Sequence, residues 1–179
     1  MKKIFLLLVI AFATRVTAQS NDYLVTMNGI GTLKIGTKQA ALEKIIGKKI
    51  TLKNLLNKEE GYADTIKAKY KNIDVLLYLE RQYDSDEKSE IVLQGIKTSS
   101  PLCKTQSGIG IGADKIKIIN VYENFTLYIW PDYTDDSYTT RSKTKSVINV
   151  SGDDSDNGIT FYLTNKKVTA IEIGYSNAD

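Results

Sequence analysis

A short glycine-anchored pattern occurs twice in this chain of 179 residues, and that recurrence limits the available architectures more than any other feature. Lys34-Ile35-Gly36-Thr37 precedes an Ala/Leu/Ile run, and Gly110-Ile111-Gly112-Ala113 precedes a second apolar run, with Gly36 and Gly112 76 positions apart. Residues 75–79 resemble 159–163 at an offset of 84, and residues 91–99 resemble 168–176 at an offset of 77. Chance can produce any one of these matches. Three in the same order point to a duplication whose loops have drifted.

Local patterns fill in each copy. In residues 19–98, Thr37 can cap a helix through residues 43–46, with Ala41, Leu42, Ile45 and Ile46 at helical spacing. Gly47 follows, where a left-handed C-cap costs least. A second short helix is expected over 52–57, capped by Thr51. Residues 65–70 alternate as a strand, Lys71-Asn72 turns, and 73–81, rich in Val and Leu, should be a central strand; residues 83–89 are a charged loop, and 90–98 form the return strand. The second copy, 105–179, should hold a helix over 114–123. Its 115–121 stretch also alternates well enough for a strand, and the recurrence decides for helix. Strands are expected at 125–130, 146–150, 158–163 and 168–175, with a tight hairpin at Asn165-Lys166. Pro131 and the polar segment 132–145 predict a long excursion. The expected fold class is therefore α+β: two tandem repeats, each one or two short helices followed by an antiparallel β-meander, joined at 99–104 and packed side by side. About 75 residues per unit is marginal alone, so the units should share stability.

The first eighteen residues carry a different signal. Lys2 and Lys3 form a positive start, residues 4–13 are apolar without interruption, and Val16-Thr17-Ala18 offers a signal-peptidase site. Ten apolar residues span roughly 15 Å as a helix, about half a bilayer core. A cleaved secretory leader at 1–18 is expected, with the product periplasmic or extracellular and not inserted in a membrane. Gln19, where a lipidated form would have Cys, gives no lipid anchor. The full chain has 24 bases and 21 acids. The leader holds three of the bases, Lys2, Lys3 and Arg15, so the rest balances at 21 against 21. A neutral chain predicts no nucleic-acid partner.

Composition removes several chemistries. Histidine is absent and Cys103 is the single cysteine. That excludes a His-based triad, a His zinc ligand and an intramolecular disulfide. Cys103, after Pro101-Leu102, is expected to be buried as a small hydrophobe, with pairing between chains as the alternative. No cofactor is expected. Ser107-Gly108-Ile109-Gly110-Ile111-Gly112 lacks the G-x-G-x-x-G spacing of a dinucleotide loop and reads as a structural lead into a helix.

The pattern I-G-x-x-x-x-x-L/I, present as Ile35-Gly36 to Leu42 and Ile111-Gly112 to Ile118, opens each apolar run. With the meander that follows, it resembles a group of small secreted bacterial domains. These include the small lipoprotein of the outer-membrane β-barrel assembly machinery and the tandem-repeat β-lactamase inhibitory protein. The likeness covers about residues 29–176. It implies a fold and a habit of binding proteins, and carries over no binding residue or target. The lipidation cysteine of the one and the paired cysteines of the other are missing here.

Two segments hold candidate sites. Asp153, Ser155 and Asn157, followed by Gly158, have the start of a calcium-loop register, but Thr164 stands where the bidentate glutamate belongs. A solvated hairpin loop is the favoured reading, with at most weak calcium uptake. Tyr122, Phe125, Tyr128, Trp130, Tyr133 and Tyr138 concentrate aromatics, with Asp132, Asp135 and Asp136 among them. Tyr and Trp join large apolar area to a polar tip and are common at interface hot spots. Tyr128 and Trp130 can also cap the sheet core; Tyr133 and Tyr138 are harder to place there. Tyr128, Trp130, Tyr133, Tyr138, Asp132 and Asp135 are the predicted partner-binding residues. The function expected is an exported, non-enzymatic protein-binding module of the bacterial envelope, with an inhibitor or immunity role as one version. An envelope assembly or scaffold factor is the alternative, and a small carboxylate-based hydrolase the third.

Overall fold

The computed structural model describes residues 21–52, 61–83, 88–134, 139–152 and 157–175. After a 3-10 turn at Asn21–Tyr23 come β1 (Leu24–Thr26), β2 (Gly29–Ile30), β3 (Leu33–Lys34) and helix α1 (Gln39–Ile46). Then follow β4 (Gly61–Tyr70), β5 (Ile73–Tyr83), β6 (Ser89–Thr98), β7 (Lys104–Thr105) and helix α2 (Lys115–Val121). The chain continues with β8 (Thr126–Tyr133), β9 (Arg141–Ser151), β10 (Asn157–Thr164) and β11 (Lys167–Tyr175). A seven-stranded sheet has the order β4-β5-β6-β11-β10-β9-β8, all neighbours antiparallel. A smaller four-stranded sheet, β3-β2-β1-β7, includes a parallel pair of β1 with β7.

Period-two alternation builds the large sheet. β5 buries Ile73, Val75, Leu77 and Leu79, and β10 buries Ile159, Phe161 and Leu163. Register lines these up across strands: Leu77 faces Ile96, Ile96 faces Ile173, Ile173 faces Ile159, and Ile159 faces Val150. Each such side chain contributes about 1.5–3 kcal/mol on full burial. The same core takes Leu42 of α1, Ile118 of α2 and Val25, Ile30 and Leu33 of the small sheet. The tight turns have the predicted chemistry: Lys71 has φ 51°, and Asn165 and Lys166 have φ 50° and 65°, the left-handed pair a two-residue hairpin requires.

The two helix-plus-meander repeats are not what forms. Among the described residues there are only two helices, of eight and seven residues, against sheets of four and seven strands. Helices this short cover little of a meander and add little stability of their own. More decisively, β6 and β11 pair through Ile96↔Ile173, Glu172↔Lys97 and Ile171↔Thr98. That removes the inner edges of the two expected meanders and fuses their strands into one sheet. The small sheet was not anticipated at all.

Smaller differences have local causes. The N-cap of α1 is Lys38, because the Thr37 hydroxyl donates to the Lys34 carbonyl at 2.6 Å instead. Gly47 does end that helix, at φ 66°. The helix expected over 52–57 lies outside the described residues except for Leu52, which is buried and non-helical. The excursion expected after Pro131 is shorter, since β8 runs to Tyr133 and β9 begins at Arg141. A proline is tolerated there because β8 is an edge strand.

The glycines that carried the recurrence fix both helices to the sheet. Gly36 (φ 81°) and Gly112 (φ 85°) take left-handed turns that favour glycine. Their N–H groups donate to the Leu93 and Val168 carbonyls at 2.7 and 2.8 Å. Leu93 N–H and Val168 N–H return bonds to the Thr37 and Ala113 carbonyls at 2.9 and 3.0 Å. So α1 is tied to β6 and α2 to β11.

Candidate functional site on the open sheet face

The face of the large sheet opposite the core carries a row that begins at a leucine and is polar or aromatic across the next five strands. Register places Leu76, Lys97, Glu172, Thr160, Asn149 and Tyr128 side by side on β5, β6, β11, β10, β9 and β8. The next row runs Ala170, Tyr162, Val147 and Trp130. Alternation sends these residues away from the core, since their sequence neighbours on each strand supply it.

Glu172 is the centre of the face. Its Oε2 is 3.0 Å from Lys97 Nζ and accepts the Tyr162 hydroxyl at 2.9 Å, with the Tyr78 hydroxyl 3.5 Å away. Lys97 Nζ also stands 3.4 Å from the Tyr162 ring centroid, a close cation–π contact. Burial pushes the Tyr162 phenol up, and the Glu172 charge and hydrogen bond, then Tyr78 and Asp132, push it further. Tyr162 therefore stays a neutral donor, and the cluster is a fixed polar group more than a proton-transfer pair. Asn149 Nδ2 donates to Thr160 Oγ1 at 2.9 Å beside it. A hollow of about 470 Å³, lined by Lys67, Leu76, Lys97 and Ala170 among others, opens at the β5–β6 end of this face.

At the other end, Tyr128 and Trp130 are each 39% exposed on β8. They do not cap the core; they stand on the opposite face from it. Asp132 is half-buried, and its Oδ1 accepts the Tyr133 N–H at 2.9 Å, while Tyr133 is half-buried opposite Arg141. Tyr128, Trp130 and Asp132 thus share strand β8. Tyr138 and Asp135 lie outside the described residues. Tyr122 turns inward: it is buried and meets Phe161 at 6.1 Å, while Phe125, which is exposed, meets it edge-on at 5.5 Å.

The calcium candidate gains nothing from the structure. Asp153 and Ser155 lie outside the described residues, and Asn157 is a half-buried first residue of β10 opposite Tyr175. Among the described residues no cluster of three or more Cys, Asp or Glu side chains could hold a metal ion. The glycine-rich segment is internal architecture. Thr105 Oγ1 accepts the Ile109 N–H at 3.1 Å, and a Cβ at Gly110 would lie 2.8 Å from the Cys103 carbonyl oxygen. Cys103 itself is fully buried, and burial pushes its thiol up to about 11, which removes it as a nucleophile near neutral pH.

Sequence reasoning found the aromatic end of the face and missed its centre. Lys97, Glu172, Tyr162 and Tyr78 come from four strands, and only the strand order brings them together. Their one visible signal was that each occupies the polar phase of an alternating strand. No helix among the described residues is long and apolar enough to cross a membrane. No protein-family model, curated protein or solved structure matches this chain.

Proposed function

We propose that this chain is an exported, non-enzymatic protein-binding module of the bacterial envelope, working in the periplasm or outside the cell. The observation that carries the reading is the exposure of Tyr128 and Trp130 together on β8, an edge strand whose only partner among the described residues is β9. Large aromatics with polar tips, held rigidly on a strand, are the residues that anchor protein interfaces. An open edge also offers backbone groups to a partner strand. The leader-like residues 1–18 support export, and the neutral remainder favours recognition by shape. The absence of histidine and the burial of Cys103 weigh against nucleophilic catalysis. An inhibitor or immunity role is one concrete version of this reading.

The test is affinity capture from envelope extract with the wild-type chain and with the Tyr128→Ala/Trp130→Ala double variant. The double variant is expected to lose at least about tenfold in partner binding while unfolding at a similar temperature. Unchanged capture removes these residues as the anchor.

A further inference from the structure

The end of β8 holds a second feature, on the side of α2. Between the pairs Pro131↔Ser146 and Tyr133↔Arg141, β8 contributes one residue, Asp132, and β9 contributes four, residues 142–145. The extra residues bow outward and are locked locally, since Ser142 Oγ accepts the Thr144 and Lys145 N–H groups at 3.3 and 3.0 Å. Two further bonds close the surroundings. Asn165 N–H donates to the Thr144 carbonyl at 2.8 Å, and Lys115 N–H donates to the Lys166 carbonyl at 2.9 Å. The start of α2, the β10–β11 turn and the bowed part of β9 therefore converge on one spot.

What they enclose is a hollow of about 380 Å³ with Ile129, Trp130 and Pro131 along one wall and Lys115, Lys143, Lys145 and Lys166 around it. No acidic residue lines it among the described residues. None of the four lysines is in an ion pair among the described residues. The nearby acid Asp114 is already held by Lys167 at 2.8 Å. Four cations about an apolar wall, on a chain whose charges balance overall after residue 18, form a local positive field with no acid among the described lining residues. The volume suits a few side chains. The same lysines beside an open edge discourage pairing with a second copy of the chain.

We propose that this hollow receives an acidic segment of the partner protein, its carboxylates on Lys115, Lys143, Lys145 and Lys166 and an apolar side chain against Ile129 and Pro131. This rests on the protein-binding reading and specifies the partner's chemistry. It gives the interface one apolar anchor, Trp130, and one charged arm that sets orientation and on-rate.

The experiment selects peptides from a random displayed library on the wild-type chain, and measures them on Lys143→Glu/Lys145→Glu and on Lys44→Glu/Lys48→Glu. The second variant makes the same charge change at exposed positions on and just after α1, away from β8. Selected sequences should be enriched in Asp and Glu with an apolar neighbour. They should quench Trp130, the chain's single tryptophan, and weaken as salt rises. Binding should fall at least about tenfold in the first variant and hold in the second. Selected peptides without acidic enrichment, or with equal affinity for Lys143→Glu/Lys145→Glu, overturn the proposal. So does an inorganic polyphosphate that binds these lysines as tightly as the peptides. An envelope partner that needs Trp130 yet ignores Lys143→Glu/Lys145→Glu also overturns it, and leaves the protein-binding reading standing.

Discussion

Strands β4 and β8 are the two edges of one sheet, and they are finished in opposite ways. On β4, Ala63, Asp64 and Tyr70 are buried, Ile66 and Ala68 pack on the core, and α1 lies against the strand. The Tyr70 hydroxyl, reached from the small sheet, accepts the Thr32 N–H at 3.0 Å. On β8 no residue is buried, and Tyr128, Ile129 and Trp130 are exposed. A bare sheet edge invites unwanted pairing, so proteins cover it or blunt it. Here one edge is covered by the protein's own N-terminal elements. The other is only blunted, by Pro131, a bulge and nearby lysines. The difference separates the two edges: buried contacts gather on the covered one, and the open one is left for the proposed recognition.

Truncating each edge's anchor gives the largest contrast. Tyr70→Ala should cost about 3–5 kcal/mol in urea unfolding, as a large buried ring lost. Trp130→Ala should cost about 1 kcal/mol or less. Equal losses would break the comparison. A finer version removes only hydroxyls. Tyr70→Phe strands the Thr32 N–H and should cost about 1–2 kcal/mol. Tyr128→Phe should stay within about 0.5 kcal/mol by the same urea titration.

The middle of the open face should behave like its exposed end. Lys97 and Glu172 side chains are 28% and 26% exposed, so Glu172→Gln should cost about 0.2–1 kcal/mol, read from thermal unfolding in low salt. A loss several times larger would make that cluster a structural element. The smallest expected effect is acid loosening of the covered edge. Glu43 Oε1 accepts the Ile50 N–H and the Gln39 amide, both at 3.0 Å, and these bonds hold its carboxyl below the ordinary 4.5. A lowered folded value means the contribution is complete above pH 4.5 and fades as pH falls through the folded value. Hydrogen exchange at the Ile50 amide should quicken there in wild type, but not show that pH step in Glu43→Gln. Amides of β8 should show no matching step.

Much of the sheet was legible in the sequence. The alternation of β5, β6, β10 and β11 and the turns at Lys71-Asn72 and Asn165-Lys166 predict strands close to those found. Period two tells which residues share a face; it says nothing about which strand lies next to which. Residues 73–79 and 126–130 both alternate, yet Leu77 is fully buried between two strands while Ile129, on an edge, is 43% exposed. The β6–β11 pair depends on Ile96 meeting Ile173, a contact that no local pattern encodes. The small sheet escapes for a related reason. Two- and three-residue strands have no measurable period, and Leu24 finds Lys104 across most of the first half of the chain. At the site, a run of aromatics along one strand is visible in one dimension, whereas four residues from four strands are not. The lysines of the hollow were equally scattered.

The central β6–β11 seam also sets a timetable. A chain that emerges N-terminus first can form the β4–β5–β6 hairpins early, but the inner edge of β6 stays unpaired until residues 167–175 arrive. Completion of the sheet waits on the last described strand, with the long loop closures that slow β-rich folding. During that interval the apolar side chains of β6 lie beside an open edge, and a companion that shields that edge would matter more than one that speeds any local step.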